Sequence, residues 1–277
     1  MNDLSEFKAF AERLAELARP IARHYFRSDA ATLGTIDKPD ATPVTLADMA
    51  IEQRLRDEIA AVYPAHGILG EEHDSVNLGA EWVWVIDPID GTKAFTCGKP
   101  QFGSLIALTH CGVPVVGVID QPITQERWAG VKGTGSWFNG QPVRANSQVK
   151  SLAETIVLVT TPDQFTGAGA AAFERLKRAC KGVYYGGDCY NYALIASGHV
   201  DLVVEMGLKT VDFAALINPI EEAGGVCLDW SGQPLTLASD GTIVAAANRA
   251  LADEVLSVLV PSPRVGEAAT GLSRSCA

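Results

Sequence analysis

The chain has 277 residues, is 47% hydrophobic and 20% charged, and carries a formal net charge of −11. It can bury one large core or two ordinary ones, and its composition excludes a disordered chain. The acidic balance, with Lys and Arg scattered and no run of basic residues, argues against a nucleic-acid-binding surface, which needs a basic patch.

Apolar residues at Leu4, Phe7, Phe10, Leu14, Leu17 and Ile21 keep a helical period, so a helix is expected over 4–26, kinked or split at Pro20. The opening MNDLSEF lacks a basic stretch followed by an apolar core, so no secretory signal is expected. No apolar run reaches the span of a membrane helix. Residues 29–44 contain Gly34, Pro39 and Pro43 and read as a loop. TPVTLADMAIEQRLRDEIAAVYP then opens a second helix. Thr45 is its expected N-cap, and Asp48 at the third position completes a pair resembling a capping box. Ile51, Leu55, Ile59 and Val62 line one face, and Pro64 stops the helix.

From Gly67 the pattern changes to strands. GILGEE is a short apolar run ending in two glutamates, and EWVWVIDPIDG is a second run. SLIALTHCGVPVVGVIDQP reads as a hairpin turning near Gly112. ERWAGVKGTGSWFNGQPVRA adds short strands with a hairpin at Asn139-Gly140. The first half is thus helices plus a mostly antiparallel sheet.

The second half alternates. TIVLVTTP, GVYYGG, VDLVVEMG, VCLDWSG and TIVAAANR read as strands. AAAFERLKRAC, CYNYALIASG, DFAALINPIEEAGG and ALADEVLSVL read as helices, which indicates an α/β layer. The expected division is an N-terminal α+β half over 1–147, a C-terminal α/β half over 148–260, and a mobile tail over 261–277.

The six cysteines form no C-x-x-C pair and read as reduced thiols, consistent with a cytoplasmic protein. The five histidines lack the spacing of a zinc site.

The chemistry concentrates in acids at strand ends. Glu71 and Glu72 close one strand, Asp87 closes the next, and Asp90 follows in the turn. Carboxylates gathered at one spot repel unless a divalent cation sits among them. All-oxygen donors point to Mg²⁺ or Mn²⁺. Gly91 and Thr92 would then open a helix or turn whose N–H groups suit a phosphate. Taken alone, D-P-x-D-G fits equally a turn in which Asp87 and Asp90 act as caps and Pro88 shapes the chain.

Four segments in order decide between these readings: TPVTLAD at 42–48, GEE at 70–72, WVIDPIDGTKAF at 84–95 and VDFAALINPIEEAGG at 211–225. Together they resemble the inositol monophosphatase-like family of metal-dependent sugar and alcohol phosphatases. The resemblance implies that family's layered α-β-α-β-α sandwich. FGSLIAL at 102–108, TTPDQF at 160–165, YGGDCYNYALIASGHVDLVVE at 185–205 and GLKTVDF at 207–213 resemble the histidinol-phosphatase branch more closely. Val211, where inositol monophosphatases usually carry Trp before the Asp, also departs from the inositol pattern.

The resemblance implies a Mg²⁺-dependent phosphomonoesterase with two or three metal ions per active site, Mn²⁺ being a possible substitute. Glu71, Asp87, Asp90, Asp212 and the backbone carbonyl of Ile89 would be the metal ligands. Glu71 and Thr92 would orient or deprotonate the attacking water, with Asp48 as their partner, although Asp48 also suits a cap. Asp90, Gly91, Thr92 and Asp212 would face the phosphate group. Asp188, Asn191 and Glu205 would face the alcohol part, although Asp188 also suits a helix cap.

The implied substrate is a small-molecule phosphate ester, L-histidinol phosphate, with an inositol monophosphatase or a broad-specificity phosphatase as the alternative. A catalytically idle regulator would have lost a ligand, whereas every matched acid is present. Homodimers are common in the family, so a homodimer is expected, with no membrane or nucleic-acid partner.

Overall fold

The computed structural model describes residues 4–37, 43–149 and 151–260. Pro39 and the expected tail over 261–277 lie outside them. The chain opens with α1 (Ser5–Tyr25), a one-turn α2 (Ala30–Leu33), the paired strands β1 (Ile36–Asp37) and β2 (Pro43–Val44), and α3 (Leu46–Val62). Pro20 does not split α1. Contacts on both sides of it hold the helix: Arg19 makes a two-pronged ion pair with Asp120, and Arg23 donates to the Pro122 carbonyl.

Of the expected loop over 29–44, the described residues 30–33 form a helical turn and 36–37 pair with 43–44. Asp29 caps α2 through the Ala31 and Thr32 N–H groups, and Gly34 ends it at a left-handed φ of 57°. The capping box of Thr45 and Asp48 opens α3 as expected. Val62 is exposed instead of buried. The chain leaves the helix at Tyr63, whose ring packs against Phe10 and Trp84 in its stead.

A seven-stranded sheet follows: β3 (Gly67–Gly70), β4 (Trp82–Asp90), β5 (Gly103–His110), β6 (Val113–Gln121), β7 (Glu126–Val131), β8 (Gly135–Phe138) and β9 (Gln141–Pro142), in that spatial order. Only β3 and β4 pair in parallel. The short α4 (Thr92–Thr96) interrupts it after β4. The later elements are β10 (Ile156–Val159), α5 (Gly167–Ala179), β11 (Gly182–Tyr185), α6 (Asp188–Ala196), β12 (Leu202–Glu205), α7 (Thr210–Glu222), β13 (Val226–Leu228), β14 (Ile243–Ala246) and α8 (Arg249–Leu259). Their five strands form a mixed sheet in the order β11-β10-β12-β14-β13.

Strand alternation assigns the layers. On β4, Trp84 and Ile86 face α1 and α3, packing with Phe10, Leu14, Ile51 and Leu55. Val85 faces the other way, into a core shared with α6, α7 and Val203 of β12. Leu202 and Val204 turn to the outer face, against Phe173 of α5 and Val255 of α8. The result is the α-β-α-β-α sandwich, with α6 and α7 as the central layer.

α7 lies close on the first sheet. A Cβ at Gly117 would overlap the Ala215 carbonyl, and one at Gly130 would overlap the Asn218–Pro219 backbone. Strand parity has a direct consequence for the site. Asp87 shares a face with Val85, and Glu205 shares a face with Val203, so both carboxylates point into the central layer.

Candidate active site

Two aspartates three residues apart point to opposite faces of a regular strand. Here the register shifts: Asp87 pairs with Leu105 and Asp90 with Gly103, so β4 spends three steps where β5 spends two. That β-bulge turns both acids to one side. Pro88, which has no N–H for the ladder, sits inside it, and its carbonyl accepts from the Ser104 hydroxyl at 2.7 Å. The Ile89 N–H donates to Asp87 Oδ1 at 3.0 Å, and the Thr92 hydroxyl donates to the Ile89 carbonyl at 3.0 Å. Gly91 continues the chain at φ 86°, with the Asp188 carboxyl group where a side chain would stand.

Asp212 comes from the first turn of α7, where its Oδ2 accepts the Lys209 N–H at 2.7 Å. It caps its own helix and still offers an oxygen to the site. Asp87, Asp90 and Asp212 each bring one carboxylate oxygen within 4.8 Å of the others. Asp90 is anchored across the layer, its Oδ2 accepting the Cys189 N–H at the start of α6 at 2.6 Å.

Burial, then repulsion from Glu71, Asp90 and Asp212, holds Asp87 well above the usual carboxylate range. Burial, Asp188 and Asp212 do the same to Asp90, and burial pushes Asp212 up to about 7. Among the described residues, only Asp212 of the three feels a nearby cation, Lys209, which does not offset its burial, and all three donors are hard oxygens. Burial beside Asp90 pushes the Cys189 thiol well up, which keeps it a neutral neighbour. The donor set therefore fits a hard divalent cation such as Mg²⁺.

Glu71 stands at the end of β3, outside this group of three, with Oε1 3.1 Å from Lys209 Nζ. It is close enough to raise both Asp87 and Asp212. Asp48 is fully buried. Its Oδ2 accepts both the N–H and the hydroxyl of Thr45, while Oδ1 has no partner among the described residues. Burial pushes Asp48 up to about 6. One oxygen thus makes the cap, and the other remains for the site.

A small cleft opens beside the cluster. Asp90, Asp188, Tyr192, Glu205 and Asp212 are among its walls. Asp188 begins α6 at φ 43°, a strained backbone for a residue other than glycine, and makes no side-chain cap. Burial and the nearby Glu205 push it up to about 7, against the pull of Lys93 and Lys99. Glu205 is 2% exposed, and its oxygens accept the Thr160 N–H at 2.8 Å and the Tyr192 hydroxyl at 3.0 Å. Burial raises it also.

Asn191 is not among the walls. It is buried, donates to the Gly186 carbonyl at 2.8 Å, and holds the turn that launches α6. Sequence reasoning left Tyr192 and Thr160 unassigned, although TTPDQF and GGDCYNY contain them. A strand end followed by Thr-Thr-Pro, facing a tyrosine two positions after Asn191's neighbour Tyr190, was the available signal.

Among the described residues no helix is long and apolar enough to cross a membrane, and the five described cysteines are free. The model of the inositol monophosphatase family matches residues 3–263. A bifunctional phosphatase, IMPL2, of Arabidopsis thaliana is 42% identical over 89% of this chain and 70% of its own length. A histidinol-phosphatase of Mycobacterium tuberculosis is 36% identical over 93% of this chain and 98% of its own. A solved inositol monophosphatase from Zymomonas mobilis superposes with a TM-score of 0.83 at 39% identity, covering 94% of this chain and 99% of that one. With this layered fold and these acids at its strand ends, the chain belongs to the inositol monophosphatase family and is a phosphatase of small-molecule phosphate esters.

Proposed function

We propose that this chain is a Mg²⁺-dependent phosphomonoesterase that hydrolyses L-histidinol phosphate to L-histidinol and phosphate, a step of histidine biosynthesis. The observation that carries the substrate is Glu205. It is a buried carboxylate on the cleft wall, and no cationic side chain pairs with it among the described residues. Asp188 stands on the same wall. A buried anion is costly unless a cation meets it. Histidinol phosphate carries an ammonium and an imidazole beyond its ester oxygen, one a cation and the other a ring that a neighbouring carboxylate would help to protonate. Inositol, a neutral polyol, would bring no cation to Glu205 and leave Asp188 with only the pull of Lys93 and Lys99. The 36% identity to a histidinol-phosphatase of nearly the same length supports the same choice.

Glu71, Asp87, Asp90, Asp212 and the Ile89 carbonyl would hold Mg²⁺, with Mn²⁺ as a substitute. Bound there, the metal would neutralise charge developing on the phosphoryl oxygens. The Thr92 hydroxyl spends its proton on the Ile89 carbonyl, which leaves its lone pairs to accept a hydrogen bond from the attacking water. Glu71 is the acceptor for the proton of that water, and the free Oδ1 of Asp48 supports the same water network. The N–H groups of Gly91 and Thr92, at the start of α4, would donate to the phosphate, while the missing side chain of Gly91 makes room for the Asp188 carboxyl group. Asp188 and Glu205 orient the amine and imidazole end.

Phosphate release from histidinol phosphate, measured with Mg²⁺ and again after EDTA treatment, tests the reading. Turnover that requires Mg²⁺ supports it. Turnover undiminished by EDTA, or none in either condition, would refute it.

A further inference from the structure

Glu52 of α3 lies outside the cleft and the acid cluster, yet it is 0% exposed. A carboxylate so placed must have every lone pair answered. Its Oε1 accepts from Arg56 Nε at 2.7 Å and from the His73 N–H at 3.1 Å. Its Oε2 accepts the Glu72 N–H at 2.7 Å. Arg56, itself nearly buried, also donates through Nη2 to the His73 carbonyl at 3.0 Å. On the other side of Glu71, a Cβ at Gly70 would overlap Glu52 Oε1. The backbone is therefore gripped at 70, 72 and 73, and Glu71 is the residue held between.

A counterion for Arg56 alone would not need two consecutive backbone N–H groups on one carboxylate. Asp48, in the first turn of α3, is close enough to Asp87 to raise it, and Glu52 is one turn further on the same face. The arrangement transmits the position of a packed helix to the loop after β3.

We propose that Glu52, with Arg56, is a positioning residue that fixes the 70–73 turn so that Glu71 faces the Asp87, Asp90 and Asp212 carboxylates. The inference rests on the reading of Glu71 as a metal ligand. Glutamine at 52 keeps the length, but its amide group would present N–H to one of the two backbone N–H groups that now donate. The turn must shift.

The test is Mg²⁺ affinity by isothermal titration calorimetry on the whole chain, with melting temperature in EDTA as the check on folding. Residues that orient metal ligands typically cost 10- to 100-fold in metal affinity when altered, so Glu52→Gln is expected to weaken Mg²⁺ binding by roughly 10-fold or more. Glu58→Gln, on the same helix and paired with Arg13 and Arg54, touches no part of the turn and is expected to leave Mg²⁺ binding unchanged. The double variant Glu52→Gln, Arg56→Gln restores local neutrality. It is expected to keep the loss, and recovery to wild-type affinity would assign the effect to the bare Arg56 charge and overturn the proposal.

Glu71→Gln separates the two levels. If it leaves Mg²⁺ affinity unchanged, the reading of Glu71 itself fails. If it weakens Mg²⁺ binding while Glu52→Gln does not, the positioning role fails alone. Should Glu52→Gln not fold, Arg56→Lys carries the test. It keeps the charge and loses the second donor to His73, and wild-type Mg²⁺ binding by it would overturn the proposal.

Discussion

Replacing Glu205 by glutamine removes one charge from the cleft wall while keeping the side chain's length. The fold should tolerate the change. Oε1 can still accept the Thr160 N–H, and the Tyr192 hydroxyl can rotate to accept from the new amide. Burial already disfavours the charge, so its loss should not lower stability. What disappears is a charge-assisted hydrogen bond to a cationic substrate, worth about 1.5–3 kcal/mol. Each 1.36 kcal/mol is tenfold, so kcat/KM on histidinol phosphate should fall by roughly 10- to 150-fold. Glycerol 2-phosphate has no positive charge, and its kcat/KM should change little. The assay is phosphate release from both esters by wild type and Glu205→Gln at saturating Mg²⁺. Equal losses on the two esters would refute the reasoning, because Glu205 would then support the site as a whole.

Asp90→Asn removes a charge from the cluster, and turnover should fall by at least ~100-fold at saturating Mg²⁺. The melting temperature in EDTA should hold or rise, since repulsion with Asp188 and Asp212 is relieved and the Cys189 N–H keeps an acceptor. Thr92→Val should lower kcat by roughly 100-fold with a smaller effect on KM, and a change in KM alone would reduce Thr92 to a binding role. Without metal, pH should act in one direction. Asp48 at about 6 and Asp188 and Asp212 at about 7 sit above the unfolded value of 3.8, so the folded chain holds protons that the unfolded chain releases. The stability they contribute is fully present below 3.8 and is lost progressively as pH rises from there to about 6 for Asp48 and about 7 for Asp188 and Asp212, so the melting temperature in EDTA should fall across that window, level off above it, and fall less steeply with Mg²⁺.

Local rules carried much of the fold. WVWVID read as an apolar strand ending in an acid, and the structure buries Trp84 and Ile86 in one core and Val85 in the other. The Asn139-Gly140 turn and the capping box of Thr45 and Asp48 are equally local. Pro88 inside an apolar run was the written sign of the bulge that joins Asp87 to Asp90. What escaped was tertiary. Glu52 and Arg56 stand four apart on a helix, a spacing that carries no sign of burial, and only the approach of the chain at Gly70 shows them to be buried. The Lys209–Glu71 pair joins the N-terminus of α7 to the end of β3, a proximity that no spacing encodes. Asn191 had the right chemistry for the substrate, but its amide is committed to Gly186. Pro20 carries a helix-breaking preference, which the Arg19 and Arg23 contacts on either side outweigh.

The central claim is that two buried acids, Asp188 and Glu205, beside the cluster of Asp87, Asp90 and Asp212 select a cationic phosphate ester. The ratio of kcat/KM for histidinol phosphate to that for inositol 1-phosphate, with Mg²⁺ present, tests it most directly. Two charge-assisted contacts of about 1.5–3 kcal/mol each predict a preference for histidinol phosphate of at least ~100-fold. A ratio near one, or a preference for inositol 1-phosphate, would contradict it.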